Sequence, residues 1–192
     1  MKRDKKGKMI FDISHPLIKK CQKGDSRAQM ELYKMYYKAM YNTCLRIVQD
    51  TMEAEDIMQE AFLKAFDKIG TFKGEVSFGA WLKKIVVNHS LDYLKKRKLE
   101  LTELDSNVQN QVCQNENGVD ETKLQLEVDN IKQVIKEMPD GYRLVLNLKL
   151  IEGYDYEEIS EILEIKESAA RSQFSRARKK LVEQLKTESW TS

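Results

Sequence analysis

Two groups of residues in this chain have types and spacings suited to holding nucleic acid. The first lies in the segment SAARSQFSRARKK, Ser168 to Lys180. Ala170, Phe174, Ala177 and Leu181 recur at steps of four, three and four residues, which is one face of a helix. Arg171, Ser172, Ser175, Arg178 and Lys179 fall on the other faces, all cationic or small and polar. The second group is Trp81, Lys84 and Asn88, at i, i+3 and i+7 on one helical face, next to a loop that carries Phe72 and Lys73. Aromatic rings that stack bases, cations that hold phosphates and an amide that reads a base edge are the chemistry of single-stranded nucleic-acid binding. The same pattern is compatible with Phe72 and Trp81 as core residues and the lysines as solubilising charge.

The elements that must position these residues are helical. Upstream of Ser168, the segment YEEISEIL (Tyr156 to Leu163) reads as a short amphipathic helix, joined to the basic one by a turn of about three residues. Two short helices, a tight turn and a basic second helix form a helix-turn-helix, a unit that lays its second helix in the DNA major groove. Asp155 and Glu158 have capping-box spacing at its start, as do Asp50 and Glu53 further upstream. From Asp50 a helix is expected to run to Ile69 and stop at Gly70, with Ala54, Ile57, Met58, Ala61, Phe62, Ala65 and Ile69 as its inward stripe. Glu53, Asp56, Gln59 and Glu60 fall off that stripe and form an acidic patch, either a solvated face or a docking site for a basic partner. Leu17 to Val48 reads as two helices broken at Lys23–Asp25. Another helix follows the loop Thr71 to Phe78 and ends near Lys95–Lys98, a cationic run that is either a solvated helix end or a backbone contact. Tyr142 to Ile151 reads as a further helix after the break at Met138-Pro139-Asp140-Gly141.

Charge divides the chain. Its net charge of +2 hides 21 Lys and Arg against 12 Asp and Glu over residues 1–99, 1 against 8 over 100–130, and 11 against 11 over 131–192. A basic block, an acidic strip and a balanced block imply two folded units and a linker. With 8 Gly and 2 Pro in 192 residues and helical spacing throughout, the fold class is all-α. Cys21, Cys44 and Cys113 have no metal-ligand spacing and read as reduced structural thiols; His15 and His89 read as packing or surface residues. No metal or cofactor site is expected. There is no glycine-rich phosphate loop, nucleophile elbow or apolar carboxylate pair, which argues against an enzyme. No apolar run has transmembrane length and no signal peptide follows the basic start, so the expected location is the cytoplasm.

The strings DTMEAEDIMQEAFLKAF, FKGEVSFGAWLKKIVVNHSLDYLKKRK and MPDGYRLVLNLKLIEGYDYEEISEILEIKESAARSQFSRARKKL, in that order, resemble bacterial sigma factors of the extracytoplasmic-function group. The resemblance implies sigma region two over 13–99 and sigma region four over 129–186; composition adds a basic tail over 1–12 and an acidic flexible linker over 100–128, which fits the family only in length and character. The resemblance implies that Asp56, Gln59 and Glu60 dock on core RNA polymerase. It implies that Phe72, Lys73, Trp81, Lys84 and Asn88 receive the melted minus-ten element, with one base flipped into a pocket. Arg171, Ser172, Ser175 and Arg176 would read the minus-thirty-five element in duplex promoter DNA, with Arg178 and Lys179 on phosphates. The acidic linker would thread polymerase channels that otherwise hold nucleic acid, and an anti-sigma factor would hold the protein inactive. Two positions depart from the pattern. Glu164 stands where the turn often has Gly, and Lys166 where the second helix often has a Ser or Thr cap. Each costs about 1 kcal/mol, and Ser168 offers a later cap. The other readings of the same residues are an autonomous helix-turn-helix regulator and a helical adaptor without a DNA role.

Overall fold

The computed structural model describes residues 2–3, 9–10, 16–103 and 123–188. The chain divides into two compact units, Met1–Cys113 and Gln114–Ser192. Both are helical, as the apolar spacing requires.

In the first unit, α1 (Pro16–Gln22) begins on a proline, whose fixed φ suits the first helical position. Gly24, at φ +81°, turns the chain into α2 (Ser26–Val48), capped by Asp25, whose carboxylate accepts from the Arg27 and Ala28 amides. α3 (Thr51–Lys68) is capped in the same way by Asp50. The reciprocal carboxylate is used elsewhere: half-buried Glu53 accepts a hydrogen bond from the Tyr93 hydroxyl. Glu53 therefore leaves the acidic surface to its exposed neighbours. Gly70 is not the left-handed stop expected of it; α3 instead tightens into a 3-10 turn over Ile69–Thr71. After the loop comes α4 (Phe78–Glu103), whose Ala80 amide donates to the Ser77 hydroxyl oxygen. Helices α2, α3 and α4 pack against one another in pairs. Leu32, Met40, Cys44 and Ile47 face the six apolar residues of α3 and Phe78, Leu82, Val86, Val87 and Leu91 of α4. Burial pushes the Cys21 thiol up to about 11, so it stays protonated and unreactive; Cys44 is also a buried free thiol. Lys2–Arg3 and Met9–Ile10 form a two-residue antiparallel ladder in the expected basic tail, too short to leave a periodicity in the sequence. The rest of that tail, with His15, lies outside the described residues.

The second unit contains α5 (Lys123–Glu137), α6 (Asp140–Leu146), a π-helical turn (Asn147–Ile151), α7 (Tyr156–Leu163) and α8 (Glu167–Glu188). α8 packs on α5, α6 and α7. Val134, Ile135, Met138, Val145, Leu146, Leu148 and Ile159 form the core beneath it. Buried Arg143 is neutralised by Asp140 at 2.7 Å. The helix expected over Tyr142–Ile151 starts two residues earlier, straight after Pro139, and its last turn widens to the π form.

The helices flanking the acidic strip are longer than the periodicity indicates. α4 continues from Lys98 to Glu103 and α5 begins at Lys123, both within the stretch 100–128 expected as linker. Apart from Thr102 and Val128, these extensions are made of Leu, Glu, Lys and Gln, strong helix formers that need no apolar stripe to stay helical. The remainder of the expected linker, with Cys113, lies outside the described residues.

Candidate functional site

The basic face stands on α8. α7 enters the motif through a complete capping box: the Asp155 carboxylate accepts from the Glu158 amide and the Glu158 carboxylate from the Asp155 amide, both at 2.8 Å. α7 ends on Glu164 at φ 55°, ψ 42°, so the turn takes the left-handed geometry in which Gly is unstrained, here with a glutamate. α8 then starts without a side-chain cap. The Lys166 carbonyl accepts from the Ala169 and Ala170 amides at 2.9 and 3.0 Å. Lys166 is thus the residue before the helix, Ser168 lies in its first turn, and no later cap shortens it. Ala170 and Ala177 are fully buried and Leu181 nearly so, while Phe174 is half-buried against Tyr156, ring centroids 5.9 Å apart. Arg171, Ser172, Ser175, Arg176, Arg178 and Lys179 are all exposed.

Several of these side chains are already engaged. Arg171 donates from Nε and Nη2 to Glu167, at 3.1 and 2.5 Å. Its guanidinium lies 4.7 Å from the centroid of the Tyr156 ring, and Lys149 Nζ lies 4.5 Å from the same centroid. The Ser172 hydroxyl donates to the Ser168 carbonyl at 2.8 Å, so it meets a ligand as an acceptor unless that bond is given up. Gln173 ties the helix down by donating to the Gly141 carbonyl at 2.8 Å. Tyr156, Arg171, Ser175, Arg178 and Lys179 line an open groove of about 610 Å³. Sequence spacing does not point to Tyr156 and Lys149 at this site. They meet across the turn at Gly153 (φ +80°), and Arg171 reaches them from another helix, so no single periodicity relates the three.

The second group is split by the fold. Phe72 is 2% exposed, with its ring 5.7 Å from Phe78 and 5.4 Å from Trp81. Phe78 is fully buried and lies 5.6 Å from Trp81 and 5.5 Å from Tyr36. Gly79 is needed for this packing: a Cβ there would stand 2.9 Å from the Tyr36 ring. Phe72 therefore cannot stack a base as it stands; it is the core ring that anchors the loop. Lys73, Lys84 and Asn88 are exposed and Trp81 is half-exposed over the buried rings. Gly74, at φ +76°, turns the loop beside Lys73.

The third group holds its expected place. Asp56, Gln59 and Glu60 are exposed on α3, opposite its six buried apolar residues. The Gln59 amide donates to Glu55 at 3.3 Å. Across on α4, His89 is half-buried, with an Nε2 that has no hydrogen-bond partner. Burial and Lys64 hold its pKa below the usual histidine range, against the opposing pull of Asp92 and Glu60. Among the described residues no cluster of three potential ligands could hold a metal ion, and no helix is long and apolar enough to cross a membrane.

Comparison with known proteins places both units in one family. Residues 32–100 match the family model for sigma-70 region 2, and residues 129–181 that for sigma-70 region 4. The chain is 33% identical over 178 residues to the extracytoplasmic-function RNA polymerase sigma factor SigW of Bacillus subtilis, covering 88% of this chain and 95% of that protein. It is 29% identical over 170 residues to the RNA polymerase sigma-H factor of Pseudomonas aeruginosa, covering 84% and 88%. Among solved structures, the fold resembles the sigma factor RpoE in complex with the anti-sigma factor NepR from Bartonella quintana, with a TM-score of 0.63, 24% identity, and coverage of 82% of this chain and 96% of that one. It also resembles CnrH in complex with the cytosolic domain of CnrY, with a TM-score of 0.54, 21% identity and coverage of 89% and 96%.

Proposed function

The chain belongs to the extracytoplasmic-function group of sigma-70 factors, the RNA polymerase sigma factors, and from that premise we propose that it binds core polymerase, directs it to particular promoters and helps to melt them. The observation that carries this reading is the division of α8. Ala170, Ala177 and Leu181 bury one face, and six cationic or hydroxyl side chains are exposed on the others, in a helix-turn-helix. Such a helix fits the major groove, where arginine forks read guanine edges and lysines hold phosphates. Arg171 and Arg176 are the candidate base readers, Ser172 and Ser175 the small contacts between them, and Arg178 and Lys179 the phosphate holders.

On α4, Asn88 and Lys84 with Lys73 are the candidate contacts to the melted minus-ten strand. Trp81 offers a half-exposed ring, and Phe72 acts only by holding the loop that carries Lys73. Asp56 and Glu60, with the Gln59 amide between them, present negative charge that DNA would repel and a basic polymerase surface would attract. In this reading residues 13–99 dock and melt, 129–186 find the upstream element, and the acidic strip over 100–128 mimics a phosphate chain inside polymerase. The protein works in the cytoplasm and carries out no covalent chemistry of its own. An anti-sigma factor belongs to the proposal by analogy with RpoE.

Run-off transcription with purified core polymerase is the test. Core plus this protein should start transcripts at discrete promoters that core alone ignores. A chain that binds duplex DNA tightly by itself, yet gives core polymerase no promoter selectivity, would instead be an autonomous regulator.

A further inference from the structure

We propose that Met52 and Leu63 are apolar anchors at the two ends of the α3 docking face, so that core polymerase meets an acidic band held between two hydrophobic contacts. This rests on the reading of α3 as the polymerase-binding helix. Met52 is 78% exposed and Leu63 71%, more than any other large apolar side chain among the described residues. Scattered exposed hydrophobics are ordinary on protein surfaces, but these two share one helix and one stripe. Positions 52, 56, 59 and 63 advance by four, three and four residues. At 3.6 residues per turn they fall within about 60° of arc and span roughly 16 Å. Asp56 and Gln59 lie between the two apolar ends, and Glu60 stands on the edge of the stripe.

The helix's own fold does not need these residues. Ala54, Ile57, Met58, Ala61, Phe62 and Ala65 bury the opposite face. Apolar side chains at 52 and 63 contribute nothing to that core, so a partner is what would remove them from water. Charge complementarity identifies the partner. The carboxylates between the anchors repel phosphate and select a cationic surface, which for this helix is the basic face of core polymerase. The geometry requires that face to carry an apolar recess about three helical turns apart on either side of its cations. Methionine suits such a contact because its unbranched thioether adapts to an imperfect recess.

The experiment compares three forms of the full chain: wild type, Met52→Gln/Leu63→Gln, and Asp56→Lys/Glu60→Lys. Affinity for purified core polymerase is measured at several salt concentrations, with circular dichroism as the control for folding. The Gln double variant should bind roughly ten- to a hundredfold more weakly, because buried apolar area is lost. Its salt dependence should match wild type. The charge reversal should weaken binding and alter the salt dependence. If the Gln variant binds within twofold of wild type while the charge reversal does not, the anchors are refuted and the docking helix stands. If neither variant loses affinity, α3 is not the docking helix and both readings fall. Should the Gln double variant lose helicity, the two single variants are measured instead. Each should be several-fold weaker, and wild-type affinity in both refutes the anchors.

Discussion

Replacing Phe72 by alanine distinguishes a core ring from a base-stacking ring, because the two roles predict losses in different measurements. Phe72 is 2% exposed and lies within 5.7 Å of Phe78 and 5.4 Å of Trp81. Truncating such a phenylalanine costs about 3–5 kcal/mol. A domain of this size holds about 5–15 kcal/mol in total, and each kcal/mol moves its midpoint by roughly 4–8 °C. Phe72→Ala should therefore lower the midpoint of the first unit by at least about 12 °C. A lost base-stacking partner would cost a comparable 1–3 kcal/mol or so, but only in the promoter complex, with the free protein unchanged. Trp81, in contact with Phe72, reports the transition by fluorescence once Trp190 is replaced by Phe. Phe72→Leu, which keeps most of the apolar volume, should fall much less and should support transcription at low temperature. A Phe72→Ala protein that unfolds at the wild-type temperature yet cannot open promoters would refute the argument and return the ring to the DNA.

Asn88→Ala should slow open-complex formation on duplex promoters while leaving the free protein's midpoint within a degree or two. A template with a preformed bubble should partly rescue it, and equal rates on both templates would remove Asn88 from the melted strand. Arg171→Ala and Arg176→Ala should flatten preference at particular upstream positions by about 1–3 kcal/mol each. Lys179→Ala should instead weaken all promoters alike and lower the salt slope by about one phosphate, both read from holoenzyme on a randomised promoter library. Because the folded state holds the His89 pKa below its unfolded value, the neutral ring's contribution to stability is present above about pH 6.5 and lost as pH falls through the folded value. The midpoint of the first unit should thus drop on acidification, and less so in His89→Gln, as followed by Trp81 fluorescence.

The fold was legible wherever apolar residues repeat at helical spacing over two turns or more. The stripe from Ala54 to Ile69 is buried as its spacing requires, as are Ala170, Ala177 and Leu181, with Phe174 half-buried between them. Punctuation was legible where a side chain bonds its own local backbone, as at Asp50 and in the Asp155–Glu158 box. It failed where a distant partner decides. Glu53 has the right spacing to complete a capping box, yet Tyr93, forty residues on, takes its carboxylate. Gly70 has the right residue type for a left-handed stop, but the chain tightens there instead. Phe72 has the right type for stacking, and only packing between two elements shows that its ring points inward. The ends of α4 and α5 were set too short because leucine, glutamate and lysine extend a helix without leaving a stripe.

The recognition face follows the same logic of local and distant partners. Glu167 precedes Arg171 by one turn and holds its Nε and Nη2, while the Tyr156 ring supports the guanidinium from below. An arginine ordered before its ligand arrives loses less freedom on binding than a loose one. The same glutamate carries a charge that phosphate would oppose. Of five guanidinium donors, two are spent on Glu167, and the remaining edge suits a neutral base acceptor better than the DNA backbone. Arg178 and Lys179, further along the exposed face and without a carboxylate one turn before them, are better placed by charge for phosphate. For Arg171 the proposed role of base reader thus rests on Glu167, an acidic side chain near the turn that the basic composition of the segment conceals.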